Sequence, residues 1–491
     1  MKRRRETLQY RYQIRKRKFV DRRSLLEISV PQNPAALNTI LEQLDRVLLE
    51  KAIEWAQTCY KAILEKLDGL LAQHRGGGLS IEHVREVWHQ TCLGPVKVKR
   101  RQYRAGDGTY RYLLDEVMGM GRHWHVTSTV HEQVLEMASV MPYRRSAEVL
   151  RKLSAIDLPH QTIWRLVGKT ADPYLEQAER ELEWFLETGE MSVGESKQAG
   201  RLIVEADGVM LSLQQEKERK AEVKLGISYE GWARVGSSRY RTVNKTAFAA
   251  IAGRDAFWGG MTLKLLKTYD LCGVKDTIVG GDGARWVKEG ASYVNGRFQI
   301  DRYHVNRALC AALGNDRETR ARVWEAVDHG EVERGLRILA EAVGKASGKQ
   351  ARKIAAVYSY LRDNGTGLRD YRLDLGEEGR TLRRTGAIEG NVDKLVVRRM
   401  KNQGMSWTLR GIRRLLCVRF LVLEGKLADY LKTRNARDLP RLPKRRVRQL
   451  VNRTLAEDPT DWLQAHLPAL YGPHPSRPWV KALRALSEAR I

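Results

Sequence analysis

The chain has 491 residues, long enough for several domains. Lys and Arg number 87 against 59 Asp and Glu, a net charge of +28, with 42% hydrophobic and 30% charged residues. That apolar share excludes a wholly disordered chain, and the positive surplus calls for a polyanion or a membrane surface as partner. No apolar run reaches the ~18–20 residues of a spanning helix; the best, Leu415 to Leu423, is cut by Arg419. The basic N-terminus has no apolar stretch after it, so no secretory signal is expected. Cys59, Cys92, Cys272, Cys310 and Cys417 form no CxxC pair, which disfavours a zinc finger or a disulfide framework and fits a reducing cytoplasm.

Residues 1–23 carry eleven Lys and Arg against Glu6 and Asp21. They form a basic arm (1–30), either a solvated tail or a phosphate-binding one. Within 31–120, apolar residues from Leu37 through Ile53 to Leu67 recur at helical spacing, which predicts a helix over 34–73 that ends before Gly76-Gly77-Gly78. The period changes at 95–114, where Asp107-Gly108 between Val- and Tyr-rich runs signals a β-hairpin. Lys97, Lys99, Arg100, Arg101, Arg104 and Arg111 line it, as a phosphate-facing surface or a plain solvent face.

Residues 121–175 read as a helix-turn-helix. Val130, Val134 and Leu135 mark one helix, Ala147 to Leu153 a second, and His160 to Thr170 a third after the turn Asp157-Leu158-Pro159. The third would bury Ile163, Leu166 and Val167 and offer Gln161, Thr162, Arg165 and Lys169 to a DNA groove; an ordinary three-helix packing unit is the alternative. His123, His125 and His131 form a local cluster that zinc could use.

From 195 to 311 the pattern turns α/β. Strands are expected in "RLIVEADGVMLSL" (201–213), 221–232 and 245–255, a helix over 256–269, a strand at Thr277-Ile278-Val279, and a strand leading into a helix over 296–309. Three strands, a helix and a strand ending in Asp is the order of a ribonuclease-H-like sheet. Residues 312–378 are polar and helical with glycine breaks. Helical patterning returns over 379–425, and 426–491 form a basic tail.

Asp207 precedes Gly208, and Asp282 stands between Gly281 and Gly283 after an apolar run. Glycine at such points leaves an acid unobstructed toward a cleft. Adjacent strands lie ~4.8 Å apart, close enough for two carboxylates to share a metal. Glu389 opens a helix followed by Arg398, Arg399 and Lys401 and would complete an oxygen-rich site suited to Mg²⁺ or Mn²⁺. Asp393 rivals Glu389, and Glu205 rivals Asp207. Asp255 and Asp270 read as turn or cap residues. Trp286 and Trp407 would stack on an unpaired base or pack in the core.

The blocks "VEADGVML", "VGGDGARW", "DRYHV" and "GAIEGNVDKLVVRRMKNQGMSW" resemble those of insertion-sequence transposases, most closely the ISLre group near the Mutator-like superfamily, over about residues 90–425. The resemblance implies a DDE catalytic core on a ribonuclease-H-like α/β fold (195–311 and 379–425), with a helical insertion (312–378) and mainly α-helical DNA-binding regions before it. It implies Asp207, Asp282 and Glu389 as catalytic metal ligands for two Mg²⁺ or Mn²⁺ ions. His304 enters through an acidic-x-x-His element, Asp301 to His304, either as a catalytic group or as a structural histidine. DNA contacts are expected from Gln161, Thr162, Arg165, Lys169, Arg398, Arg399, Lys401 and Trp407. The expected protein is a cytoplasmic, nucleoid-associated DNA transposase that acts on double-stranded terminal inverted repeats and target DNA as a homodimer or larger assembly, with no membrane partner. A metal-dependent DNA nuclease or resolvase, and an inactive DNA-binding regulator of the same fold, are the alternatives.

Overall fold

The computed structural model describes residues 37–120, 125–192, 194–434 and 442–455. The basic arm 1–30, His123 and most of the C-terminal tail lie outside them. The chain divides into two units. The first draws on segments 1–131, 150–157 and 434–491, and the second on 132–149 and 158–433.

In the first unit a long helix α1 (Leu37–Gln73) packs on an antiparallel sheet of β1 (Leu79–Thr91), β2 (Gly94–Ala105) and the short β3 (Tyr110–Arg111). Leu64, Leu67 and Leu71 recur every three to four residues and meet Val96, Val98 and Tyr103, with Leu113 and Leu114 of α2 (Leu113–Val117) closing the core. The main hairpin is β1–β2, turning through Cys92-Leu93 into Gly94 at φ +94°. The expected Asp107-Gly108 turn is present and joins β2 to β3. Sequence pattern missed β1 because Glu82, His83, Arg85 and Glu86 interrupt it and a bulge at Glu82 breaks the two-residue period. Most of the basic hairpin side chains are already paired: Lys97 with Glu86, Arg100 with Asp115, Arg101 with Asp68, Arg104 with Glu82 and Arg111 with Glu116. That weakens the phosphate-facing reading of this surface.

The helices expected at 127–172 form as α3 (Ser128–Val140), α4 (Tyr143–Leu153) and α5 (His160–Thr188). The third is far longer than expected, at 29 residues, and continues past Pro173.

The second unit is built on a sheet of strands β4 (Arg201–Leu213), β5 (Lys220–Tyr229), β8 (Thr246–Ala250), β9 (Asp276–Gly281) and β10 (Arg297–Ile300). A ribbon of β6 (Gly231–Arg234) and β7 (Tyr240–Val243) stands apart, and a two-residue β11 (Ser406–Trp407) pairs with the end of β4. The order is β10-β9-β4-β5-β8. β5 runs antiparallel to both β4 and β8, while β9 runs parallel to β4 and β10 parallel to β9.

Strand alternation sends Leu202, Val204 and Ala206 to one face, against Phe257, Trp258, Met261 and Leu265 of helix α6 (Arg254–Thr268). Ile203, Val209 and Leu211 point to the other face, under Ile388, Val392, Leu395, Ile412 and Leu415. β10 feeds helix α7 (Arg302–Leu313). Three helices follow, α8 (Arg317–Asp328), α9 (Val332–Lys345) and α10 (Gly348–Asp363), with their own core around Val323, Leu339 and Leu361. The chain re-enters the sheet layer through α11, which is α-helical over Ile388–Val392, π-helical over Asp393–Val397 and α-helical again over Arg398–Met400. Helix α12 (Leu409–Leu423) ends the layer and packs along α5.

Candidate active site

Asp207 lies in the middle of β4, not at its end. Its neighbour β9 stops at Gly281, opposite Ala206, so the first unpaired positions of that edge are Asp207 and Asp282 side by side. Alternation places Asp207 on the face covered by α11. Gly208 leaves room for the Glu222 carboxylate, which a side chain there would push aside. Asp282 begins a loop in which its Oδ1 accepts from Ala284 N at 2.8 Å. Gly283 has φ +90°, a backbone that favours glycine, and a Cβ there would meet Asn364 Oδ1 at 2.7 Å. Tyr360 of α10 donates to the Asp282 carbonyl at 2.7 Å, so the insertion holds this loop in place.

Asp301 caps α7 by accepting from Tyr303 N at 2.9 Å, and its own N–H donates to Gly281 O at 2.7 Å. The cap fixes the first turn of α7 against the end of β9 and aims His304 at the acids. Glu389 arrives from α11. His304 Nε2 is 2.9 Å from Glu389 Oε1, off hydrogen-bond alignment. One donor atom each from Asp207, His304 and Glu389 lies within 4.8 Å of the others. Asp282 is outside this group of three, yet its charge reaches Asp207. Burial first, then the carboxylates of Asp282 and Glu389, push the Asp207 carboxyl up to about 6, against the opposing effects of Gly208 N–H and His304.

Glu205, the rival for Asp207, is only 1% exposed and fully engaged. It accepts from Gly386 N at 2.9 Å, from Ile388 N at 2.8 Å and from the Tyr229 hydroxyl. Those amides are the start of α11, so Glu205 bolts to the sheet the helix that carries Glu389, one residue beyond Ile388. Burial holds its carboxyl above the usual range. Asp393, the rival for Glu389, is turned to Arg398, with Oδ2 2.7 Å from Nε. Asp255 pairs with Arg254, and Asp270 caps a short 3₁₀ turn.

The expected DNA-binding residues divide. Gln161 and Arg165 are exposed on α5, Thr162 and Lys169 are half-buried, and Arg398 and Lys401 are exposed on α11 and just after it. Arg399 needs correction: at 2% exposure it donates to Ala138 O at 3.0 Å and lies between the rings of Tyr143 and Trp407. It is a packing cation, since burial leaves its guanidinium no surface to offer DNA. Trp407 is half-buried and donates to Met400 O at 2.7 Å, and Trp286 packs edge-on against Phe257. The expected recognition helix is the first part of α5. Its inward face, Ile163 to Ala171, packs along α12, where Asp172 accepts from Arg414 Nε at 2.7 Å and from Arg410 at 2.8 Å.

Fold and site define a mixed α/β protein with a carboxylate–histidine cluster where β9 stops alongside β4 in its main sheet. The chain belongs to the Uncharacterised protein family (UPF0236), which it matches over residues 36–435. Similar proteins occur in Caldanaerobacter subterraneus subsp. tengcongensis. UPF0236 protein TTE0610/TTE0881/TTE1053/TTE2432 is 24% identical over 372 residues, 74% of each chain. UPF0236 protein TTE0402 is 23% identical over 372 residues, 74% of this chain and 70% of the relative.

Proposed function

We propose that the protein is a DNA transposase of the DDE type, related to the ISLre group, that cleaves element ends and joins them to target DNA. The observation that carries this reading is the meeting of Asp207, Glu389 and His304, from elements far apart in the chain, with Asp282 just past the end of the adjoining strand. Three further features support it. The sheet order β10-β9-β4-β5-β8, with two antiparallel pairings and two parallel ones, suits the ribonuclease-H-like core that the sequence resemblance implies. A helical insertion falls between the second and third acids. One relative carries eleven locus names in a single genome, as suits a sequence that copies itself.

The donor set fits a hard divalent cation. It is rich in carboxylate oxygen, and the Asp207 carboxyl, raised by burial first and then by the charges of Asp282 and Glu389, would be eased into its charged form by a cation. Asp207, Asp282 and Glu389 would hold Mg²⁺ or Mn²⁺, which would supply positive charge at the scissile phosphate and ease deprotonation of the attacking hydroxyl. The remaining roles fall to the chain itself. Glu205 holds Glu389 in position, and the Tyr360 hydroxyl holds the Asp282 loop. His304 carries a proton to or from an oxygen at the phosphate, within reach of Glu389. Arg398, Lys401, Gln161 and Arg165 contact the DNA backbone. Two element ends need two such sites, hence a dimer or larger assembly on DNA.

The test supplies a pre-cut element end with a 3′ hydroxyl, a target plasmid and Mg²⁺. The parent protein should join them. Asp207→Asn, Asp282→Asn and Glu389→Gln should each lower joining by roughly 10³-fold while end binding persists. Cutting without joining would indicate a nuclease, and end binding with neither cutting nor joining a regulator. Three variants as active as the parent would overturn the site.

A further inference from the structure

A second cluster, in the first unit, has no part in the proposed chemistry. His89 lies near the end of β1 and is 0% exposed, and neither ring nitrogen has a hydrogen-bond partner among the described residues. Asp115, in α2, is 3% exposed, and neither of its carboxylate oxygens accepts a hydrogen bond. His125 is brought to them by a bridge in which Gln90 N donates to His125 O at 2.7 Å. The two imidazoles stack with centroids 6.0 Å apart at 17°, and His125 Nδ1 is 3.8 Å from Asp115 Oδ2. One donor atom each from the three residues lies within 4.8 Å of the others.

A buried polar atom without a hydrogen bond destabilises the fold, so the two unbonded His89 nitrogens beside a buried carboxylate that has only the Arg100 ion pair mark a missing common partner. Water or another side chain would satisfy one or two of these atoms. A cation takes a lone pair from each at once. We propose that His89, Asp115 and His125 bind a borderline divalent cation of the Zn²⁺ type, which fastens the end of β1 to α2 and to the chain at residue 125. Two imidazoles and one carboxylate favour Zn²⁺ over Mg²⁺ or Ca²⁺, which prefer all-oxygen shells. Donors within 4.8 Å of one another would have to draw in around a cation to reach the ~2.0–2.2 Å bonds of zinc.

Arg100 is the opposing charge. Its NH1 is 3.0 Å from Asp115 Oδ2, and its guanidinium lies over the Tyr112 ring at 3.5 Å. It holds the same carboxylate oxygen that faces His125, so in a metal-bound site it would fix the orientation of the ligating carboxylate. Tyr60 meets the His89 ring edge-on at 6.4 Å and walls the cluster. The site is separate from Asp207, His304 and Glu389, and its role is to brace the fold.

The experiment uses the full chain carrying Asp207→Asn and Glu389→Gln, so that the other cluster cannot account for binding. After chelation and dialysis, zinc chloride alone is added. Metal content, the thermal transition and the visible spectrum of the Co²⁺-substituted protein are read. One zinc per chain is expected, with a higher Tm and a tetrahedral Co²⁺ spectrum. His125→Asn, at the more exposed ligand, should keep the far-UV spectrum and bind zinc at least ~10-fold more weakly. Failure of the chain with His89 and His125 intact to retain zinc would overturn the proposal. So would zinc retention unchanged by His125→Asn.

Discussion

Asp207 carries its own stability cost. Its carboxyl stands at about 6 in the folded protein against the usual 3.8, a difference worth up to about 3 kcal/mol at full burial and less here, where solvent reaches part of the side chain. The folded state therefore holds this proton more tightly than the unfolded chain does. No penalty exists below about pH 4, and it develops as pH rises through 6. Asp207→Asn should raise the urea midpoint of the metal-free protein at pH 8 by the equivalent of about 1–2 kcal/mol, and leave it unchanged near pH 4. The same variant should lose strand transfer, and the parent's own transfer should fall as pH drops below 6.

Glu205 behaves in the opposite way, because its substitution removes support. Glu205→Ala strands two backbone donors and the Tyr229 hydroxyl inside the core, at a cost of about 3–5 kcal/mol in chemical denaturation. Glu205→Gln keeps the shape and should cost about 1–2 kcal/mol. It should lower the joining rate more than end binding, since it loosens Glu389 and touches no DNA-facing residue. Equal losses in rate and binding would contradict the positioning role. Asp207 could be picked out from its own neighbours in the chain. The role of Glu205 could not, because its amide partners are 181 and 183 residues away.

The helix that brings in Glu389 shows how an element settles a choice between two acids. In a regular α-helix Glu389 and Asp393 would share a face. Here Asp393 opens a π segment and pairs with Arg398 five residues on, the spacing a π turn aligns. Glu389 is left facing His304. The loop after β9 is as specific. Gly283→Ala meets a strained φ and the Asn364 amide together and should cost about 1–3 kcal/mol. Adding Asn364→Ala should recover part of that cost and not the rest, since only the clash is relieved. A double-mutant cycle in urea measures the split; full recovery would mean the backbone at 283 is unstrained. Sequence pattern placed β4, β5, α6, β9, β10 and α7 in order because each carries a local apolar period and a turn or cap at its ends. It passed over β1, whose charged outward residues hide the alternation, and it stopped α5 at Thr170, where nothing local announced a further 18 residues.

For the molecule as a whole the net charge of +28 sets the expected response to salt. With six to ten phosphates neutralised, affinity for element ends should fall roughly 10³–10⁵-fold between about 50 and 200 mM salt, log affinity being linear in log salt. A flat profile in a filter-binding titration would exclude a phosphate-dominated interface. Among the described residues no helix is long and apolar enough to cross a membrane. Charge, element order and the acids worth suspecting are properties of composition or of a few consecutive residues, so the amino-acid string carries them outright. Whether Arg399 faces DNA or the core, what occupies Glu205, and that His89 and Asp115 meet His125 are decided by contacts between remote segments. Burial and convergence arise only when the sheets and helices close on one another, and spacing along the chain holds no trace of them.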